Sequence, residues 1–352
     1  MVYNFNAGPS ILPPSVLQQA AQAVLNLDNS GLSILEISHR SESFIAIIEE
    51  AKQLVRQLMQ VPDNYHILFL HGGASLQFTM VPQNLLRHKA LFAETGVWAK
   101  KAIAEAAMIG EAKIIASSAD KNFNYIPPIN ITENADYLHI TSNNTIYGTE
   151  FNKFPEVSIP LVCDMSSDIL SRSVDVSKFA LIYAGAQKNI GTAGVTLVII
   201  RDDMLDYYKP NTPTMLRYKT HTDNASLFNT PSVFAIYVCL LTLRWLQQNG
   251  GVAEIEKSNI LKASLLYNYL DSCKIFTPIA NIADRSLMNV TFTINDAVLE
   301  NKFISFSIEK NITGIKGHKA AGGFRASLYN ALPVGHVEYL IEMMHEFEKA
   351  HC

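Results

Sequence analysis

The sequence has few cysteines, and they lack the spacings that metal and disulfide sites need. Its four cysteines lie far apart in a chain of 352 residues, without a CxxC pair, which argues against a zinc site and against a disulfide framework. The N-terminal segment has neither the basic start nor the long apolar run of a signal peptide. These absences are typical of a reduced protein, and we expect it in the cytoplasm.

Long hydrophobic runs and clusters of basic residues are also missing. The most hydrophobic segment, Val233 to Leu243, is too short to span a bilayer and is typical of a buried helix. The formal net charge is −4 and no Lys/Arg cluster is present, so we expect neither a membrane nor a nucleic-acid partner. With 48% hydrophobic residues, the chain is long enough for a large core and a second, smaller one.

Alternating strand and helix patterns predict an α/β fold. We expect a mostly parallel sheet sandwiched by helices in a large domain of residues 15–258. From about Asn259 the pattern changes, which indicates a smaller α+β C-terminal domain of residues 259–352, joined by residues 1–14. The predicted strands are 66–70, 135–140, 158–163, 179–183, 195–200 and 288–294, and the predicted helices are 44–59, 76 onward, 97–107, 231–248, 260–270, 299–308 and 337–347.

The segment from Phe179 to Arg201 places one lysine, Lys188, in a turn between two β-rich runs. Apolar surroundings disfavour the charged form of a lysine and lower its pKa. A lysine that forms a Schiff base needs this shift, because only the neutral amine attacks an aldehyde. For an isolated lysine, a solvent-exposed turn is the commoner alternative.

Two further predicted strand ends carry groups suited to the same site, since ligands of open α/β sheets lie beyond the carboxyl ends of the strands. Asp164 follows one strand, and the turn Gly72-Gly73-Ala74-Ser75 follows another and opens a helix whose N–H groups could hold a phosphate. Alone, Asp164 could be a helix N-cap and the glycines could simply allow positive φ. Together with Lys188, they predict pyridoxal phosphate, whose protonated ring nitrogen needs an acidic partner.

Three other residues fit this chemistry. Trp98 is the candidate for stacking on the cofactor ring, with a core tryptophan as the alternative. Arg40 and Arg325 lie in Gly/Ser/His settings, and arginine binds substrate carboxylates bidentately. Lone arginines are more often solvated surface groups, so this pair is a weak signal by itself.

Over essentially its whole length the chain resembles the phosphoserine aminotransferases, a family of class-V, fold-type I pyridoxal-phosphate enzymes. The resemblance is carried by SHR, AGAQKN and FNTP in this order, and by longer segments such as HILFLHGGASLQF, TGVWAKKA and KGHKAAGGFRASLYNA. It implies a seven-stranded sheet and a homodimer with shared active sites. It also implies reversible transamination of 3-phosphohydroxypyruvate with L-glutamate, giving O-phospho-L-serine and 2-oxoglutarate in serine biosynthesis. Some members also act on a phosphorylated hydroxythreonine in vitamin B6 synthesis, a step that the sequence leaves open.

The resemblance also implies a role for each residue that matches the family's motifs. Lys188 resembles the Schiff-base lysine and Asp164 the partner of the ring nitrogen. Asn229 and Thr230 match residues that reach the cofactor phosphate from the neighbouring subunit. The implied cofactor ligands are Ala74, Ser75, Trp98, Thr145, Asp164, Gln187, Lys188, Asn229 and Thr230, and the implied substrate ligands are His39, Arg40, His318, Lys319 and Arg325.

Three positions depart from the family pattern. Ser75 stands where many relatives have an arginine, Lys319 stands where arginine is common, and Ala7 replaces a small polar residue. Since Ser75 carries no charge and a lysine lacks the planar fork of arginine, phosphate recognition is weakened. The alternative is therefore an aminotransferase of the alanine–glyoxylate or serine–glyoxylate type, with a small unphosphorylated substrate.

Two alternatives belong to other classes. A binding protein that keeps the fold without the chemistry would lack Lys188 or Asp164, and both residues are present. A Schiff-base aldolase that works without a cofactor would use the lysine, but it would not explain Asp164, Trp98 or the phosphate-binding turn.

Overall fold

The computed structural model describes residues 1–351, and its elements are numbered here in chain order. The helices are α1 Pro14–Leu25, α2 Glu42–Met59, α3 Gly73–Leu85, α4 Val97–Ala107, α5 Tyr218–Asp223, α6 Val233–Gln248, α7 Gly251–Ser272, α8 Ala297–Glu309 and α9 Val334–His351. The strands are β1 Tyr3–Asn4, β2 Tyr65–Leu70, β3 Lys89–Glu94, β4 Glu111–Ser117, β5 Tyr137–Thr141, β6 Asn143–Asn144, β7 Thr149–Glu150, β8 Leu161–Asp164, β9 Leu181–Gly185, β10 Thr196–Arg201, β11 Phe276–Pro278, β12 Asn289–Ile294, β13 Ile312–Thr313 and β14 Phe324–Ser327.

Seven strands form the main sheet, in the order β2-β10-β9-β8-β5-β3-β4. Strand β10 is antiparallel to both of its neighbours, and the other pairs are parallel. Side chains alternate between the two faces of a strand. In β2, Ile67 and Phe69 pack with residues of α1, α2 and α6, whereas Leu68 and Leu70 pack with α3 and α4. Helices therefore cover both faces, and the predicted fold class is confirmed.

A second sheet, β11-β12-β14, is antiparallel and has its own apolar core with α7, α8 and α9. Aromatic rings fill this core. Phe276 and Phe303 lie 4.8 Å apart in an edge-to-face pair, and Phe292 and Phe324 lie 5.4 Å apart in a stacked pair. We call β11, β12 and β14 the C-terminal sheet. The predicted division at residue 258 stays a prediction, since α7 runs unbroken through that position.

Some predicted elements differ from those observed. The strand predicted from residue 158 begins at Leu161, because it follows Pro160, which has no N–H to donate. The helix predicted from residue 260 already begins at Gly251, directly after Gly250, which caps it with a φ of +87°. Strands β3, β4 and β14 have no counterpart among the predicted elements. Within residues 1–351, no helix has both the length and the apolar character required to cross a membrane.

Candidate active site

Six strands of the main sheet, all except β10, run in the same direction and end at one edge, and the candidate residues follow these ends. Asp164 is the last residue of β8, and Lys188 lies three residues after the end of β9. The turn at Gly72 follows β2, and Trp98 lies in the first turn of α4, just after β3. Because the carboxyl ends of parallel strands meet at the same edge, residues far apart in sequence converge there.

A cavity of about 360 Å³ opens at this edge of the sheet. Besides residues at the strand ends, its lining includes Gly8 from the N-terminal segment and His318 and Arg325 from the C-terminal part of the chain. Three parts of the sequence therefore meet around the cavity. Nine of the fourteen predicted site residues line this cavity: Ala74, Ser75, Trp98, Thr145, Asp164, Gln187, Lys188, His318 and Arg325.

The amine of Lys188 lies at the centre of this arrangement. Its Nζ donates a hydrogen bond to Thr145 Oγ1 at 3.1 Å. Burial lowers the pKa of Lys188 to about 8, while the charge of Asp164 raises it and that of Arg325 lowers it. At pH 7 this leaves roughly a tenth of the amine neutral, against roughly 0.03% for a lysine with its ordinary pKa of about 10.5. The amine is thus prepared for nucleophilic attack.

The carboxylate of Asp164 is buried and held in a fixed orientation. Its Oδ1 accepts hydrogen bonds from the Ser166 backbone N–H at 2.9 Å and from Ser166 Oγ at 2.6 Å. Burial raises the pKa of Asp164, whereas the Ser166 hydrogen bonds and the charge of Lys188 lower it. Within residues 1–351, Oδ2 makes no hydrogen bond, so it can accept one from a donor in the cavity. A protonated ring nitrogen is such a donor.

The start of α3 offers an anion site. Gly72 precedes the helix with a φ of +89°, and a Cβ at this position would lie 2.5 Å from Leu76 side-chain atoms. Only glycine fits there. The first backbone N–H groups of a helix have no partner inside the helix, and they attract anions. Gly73, Ala74 and Ser75, at the start of this helix, line the cavity, so a phosphate group fits here.

Trp98 and Arg325 each leave a buried donor without a partner among residues 1–351, namely Trp98 Nε1 and Arg325 Nε. Arg325 also donates to the backbone carbonyl of Thr145 at 3.4 Å, and burial lowers its pKa. Unpaired buried donors are rare in native proteins. These two, together with the free oxygen of Asp164, indicate that the cavity is built for a polar ligand with anionic groups.

Positive charge gathers on the side of the cavity near Arg325. The pKa of His318 is lowered by its burial and by the charges of Arg325, Lys319 and Lys101. The Nζ of Lys101 lies 4.7 Å from the centre of the Trp98 ring. Lys101 therefore adds a cation close to the cavity, which fits an anionic substrate.

Five predicted site residues do not line the cavity. Arg40, Thr230 and Lys319 are exposed, and His39 and Asn229 are partly buried. The backbone carbonyl of Thr230 contacts His71 Nε2 at 3.1 Å. Thr230 therefore lies near the turn Gly72–Ser75 at the start of α3 (the α3 turn), but outside the cavity. The structure of the single chain does not bring these five residues to Lys188, and their roles stay predictions.

Three residues near the site carried no functional prediction. Ser166 orients Asp164 through its backbone N–H and its hydroxyl. Lys101 follows Trp98 by three residues, a helical spacing that could have placed it on the same face. Asn143 lines the cavity and donates a hydrogen bond to Asn289, on β12 of the C-terminal sheet, at 2.8 Å, and sequence spacing could not have revealed this contact.

Comparison with known proteins now places the chain in a family. The model of the class-V aminotransferases matches residues 2–340. The phosphoserine aminotransferase of Phocaeicola vulgatus is 51% identical over 353 aligned positions, which cover 99% of each chain. The chain belongs to the phosphoserine aminotransferase family. A second relative with that name, from Desulfotalea psychrophila, is 53% identical and covers 98% of this chain and 97% of its own.

Solved structures agree with this assignment. The phosphoserine aminotransferase of Bacillus circulans subsp. alkalophilus superimposes with a TM-score of 0.98 at 42% identity, covering 100% of this chain and 99% of its own. The pyridoxal-phosphate-bound enzyme of Trichomonas vaginalis gives 0.93 at 38% identity, with coverage of 98% and 100%. An alanine–glyoxylate aminotransferase of Nostoc sp. gives 0.77 at 17% identity, covering 98% of this chain and 95% of its own. This last likeness shows the fold alone. The predicted family is confirmed, and the glyoxylate-type alternative is not favoured.

Proposed function

We propose that this protein transfers the amino group between L-glutamate and 3-phosphohydroxypyruvate, giving 2-oxoglutarate and O-phospho-L-serine, with pyridoxal phosphate as its cofactor. When bound, the cofactor withdraws electrons from the Cα of the amino substrate through its protonated ring. The observation that carries the proposal is the convergence of Lys188, Asp164 and the α3 turn on one cavity. Free thiols at Cys163 and Cys239 fit a cytoplasmic protein, since thiols stay reduced in that compartment.

In this proposal the residues of the cavity have distinct tasks. Lys188 supplies the amine that binds the cofactor covalently and then carries a proton to and from the substrate Cα. Asp164 keeps the ring nitrogen protonated with its free Oδ2. The α3 turn and Gln187 hold the cofactor phosphate, and Trp98 covers the ring.

The cations around Arg325 would recognise the substrate. Arg325, with its free Nε, suits a carboxylate. His318, Lys319 and Lys101 form a basic group near it. Such a group can bind the phosphate of one substrate and the side-chain carboxylate of the other, which a shared site for two half-reactions requires. Many relatives have an arginine at the position of Ser75, and Lys101 supplies a positive charge that Ser75 cannot.

A comparison of amino donors tests the substrate. We expect phosphoserine to convert the cofactor about 10³-fold more efficiently than serine or alanine, because a site built to pair with an anion rejects analogues that leave its buried groups unpaired. The measurement is the rate at which the absorbance band of the bound cofactor changes after each donor is mixed with the enzyme. Glutamate serves as the positive control. Equal rates for alanine and phosphoserine would favour the glyoxylate-type alternative.

We also propose a homodimer in which Asn229 and Thr230 of one protomer complete the site of the other. Neither residue lines the cavity of its own chain. Phe228, beside Asn229, is 43% exposed, and residues 14–45 carry five large apolar side chains that are each at least 42% exposed. Exposed apolar surface of this kind is typical of a face that a partner covers.

Mixed dimers test the shared site. Asn229→Asp places a negative charge against the cofactor phosphate, and Lys188→Ala removes the amine, so we expect each variant alone to be inactive. If the sites are shared, a dimer of one protomer of each kind keeps one intact site. Random assembly should then restore about a quarter of wild-type activity. If Asn229 acts within its own chain, the co-expressed mixture stays inactive. Asn224→Asp, on the same segment but absent from the predicted site, is the control.

A further inference from the structure

The turn that carries Lys188 depends on contacts with other parts of the chain. The backbone N–H groups of Ile190 and Gly191 donate to the carbonyl of Ala186 at 3.2 and 2.8 Å and close the turn. The carbonyl of Lys188 instead accepts from Ser10 Oγ, which belongs to the N-terminal segment. The hydrogen bonds of the turn itself thus close its ends, and the position of Lys188 in its middle depends on neighbouring segments.

Asn189, the next residue, makes two contacts with such segments through its side chain. Its Oδ1 accepts from the Asn330 backbone N–H at 3.1 Å, and its Nδ2 donates to the backbone carbonyl of Ile169 at 3.2 Å. Ile169 lies five residues after Asp164, the last residue of β8, and Asn330 lies three residues after the end of β14. One amide group therefore connects the Lys188 turn with the segment that follows Asp164 and with the C-terminal part of the chain.

Asn330 is itself fixed by its side chain. Its Nδ2 donates to the backbone carbonyl of Leu170 at 2.9 Å, and its Oδ1 accepts from Asn259 Nδ2, on α7, at 2.9 Å. Asn259 is fully buried, and Asn330 and Asn189 are 5% and 6% exposed. Because water cannot replace a lost partner in the interior, buried contacts of this kind fix the distances between the segments that they join.

We propose that Asn189 is a positioning residue, which sets the location of the Lys188 amine relative to the carboxylate of Asp164. The inference rests on the proposed roles of Lys188 and Asp164. Reacting groups keep a productive geometry only when surrounding residues fix the backbone that carries them. Asn189 does not line the cavity, so it acts through Lys188 and not by contact with the cofactor or the substrate.

The test uses Asn189→Ala in the full-length chain. Without the amide group, the turn can move away from the segment after Asp164, and the amine of Lys188 can reach water. Burial is the main cause of the lowered pKa of Lys188, so this pKa should rise in the variant. The charged groups that act on Lys188 are Asp164, Asp168 and Arg325, and all three remain.

The measurement is the rate at which cofactor-free protein takes up pyridoxal phosphate at different pH values. For the wild type we expect this rate to increase with pH around a midpoint near 8, because only the neutral amine of Lys188 reacts. For Asn189→Ala we expect a midpoint higher by about 0.5 unit or more. An unchanged or lower midpoint in a folded variant would overturn the positioning role.

Asn84→Ala is the matched control. Asn84 is also buried, its Oδ1 accepts from the Tyr218 backbone N–H at 3.1 Å, and its Nδ2 donates to the backbone carbonyl of Leu216 at 2.7 Å. It does not line the cavity. The control should therefore lose stability as Asn189→Ala does, because both leave buried backbone groups unpaired, but its midpoint should equal that of the wild type.

If Asn189→Ala does not fold, Asn330→Ala decides in its place. This variant keeps the backbone N–H that contacts Asn189, but it lacks the two side-chain contacts that fix the backbone there. Its midpoint should also rise, and the absence of a rise would overturn the positioning role. A wild-type chain that takes up no cofactor would instead contradict the proposed function itself.

Discussion

Replacing Lys188 with alanine should lower turnover by at least about 10⁴-fold, since proton transfer by a positioned group alone contributes about 10²- to 10⁴-fold and the covalent link to the cofactor is lost as well. The variant should also lose the absorbance band of the covalently bound cofactor. Both follow from one feature of the structure, the amine whose burial lowers its pKa to about 8. Turnover of glutamate with 3-phosphohydroxypyruvate and the visible spectrum are the two measurements.

Lys178→Ala is the control for this experiment. Lys178 lies ten residues earlier in the chain, and its half-exposed side chain pairs with Glu156 at 3.7 Å. A surface ion pair of this kind contributes little to stability, so the control should keep full activity. If Lys188→Ala retained more than about a tenth of wild-type turnover, the amine would not be the catalytic group. Methylamine added to the variant should restore part of the proton transfer, but the control should not respond to it.

The second large effect is expected for Asp164→Asn. Removing one partner of a buried ion pair costs about 3–5 kcal/mol, which corresponds to a loss of about 10²- to 10⁴-fold in kcat/KM. Asparagine keeps the shape and can still accept from Ser166, but it cannot hold a charged ring nitrogen. The covalent band should therefore remain while turnover falls, which distinguishes this variant from Lys188→Ala.

Asp175→Asn is a closely matched control. Like Asp164, Asp175 accepts hydrogen bonds from the backbone N–H and the hydroxyl of the serine two residues later, here Ser177 at 3.0 and 2.5 Å. Asp175 does not line the cavity, so turnover should not change. The cofactor-free Asp164→Asn protein should unfold at the wild-type temperature or above it, because burial already disfavours the charged carboxylate. A loss of activity that only accompanied unfolding would contradict the catalytic role.

Much of the large-domain fold could be predicted from periodicity. Helix α4 has the predicted bounds, and β2 and α2 differ from prediction by one or two residues at their starts, since an amphipathic stripe and a short β-rich run have clear spacings. Other elements have weaker local signals. In β4, Lys113 and Ile114 are exposed at the edge of the sheet, so no hydrophobic run marks that strand. In β14 the flanking Gly-rich segment is typical of a loop, and only pairing with β12 makes it a strand.

The sequence by itself determined the family through its motifs and the fold class through its alternating strand and helix patterns. It also determined the chemistry of the lysine, the aspartate and the glycine turn, because each of these three depends on residue type and on position at a strand end. Only the tertiary structure decided which of the candidates meet. Nine of the predicted residues share one cavity and five do not, and Arg325 reaches the backbone carbonyl of Thr145 from a separate sheet. Distances across the fold depend on how the two sheets pack together, and a linear pattern of residues does not contain that information.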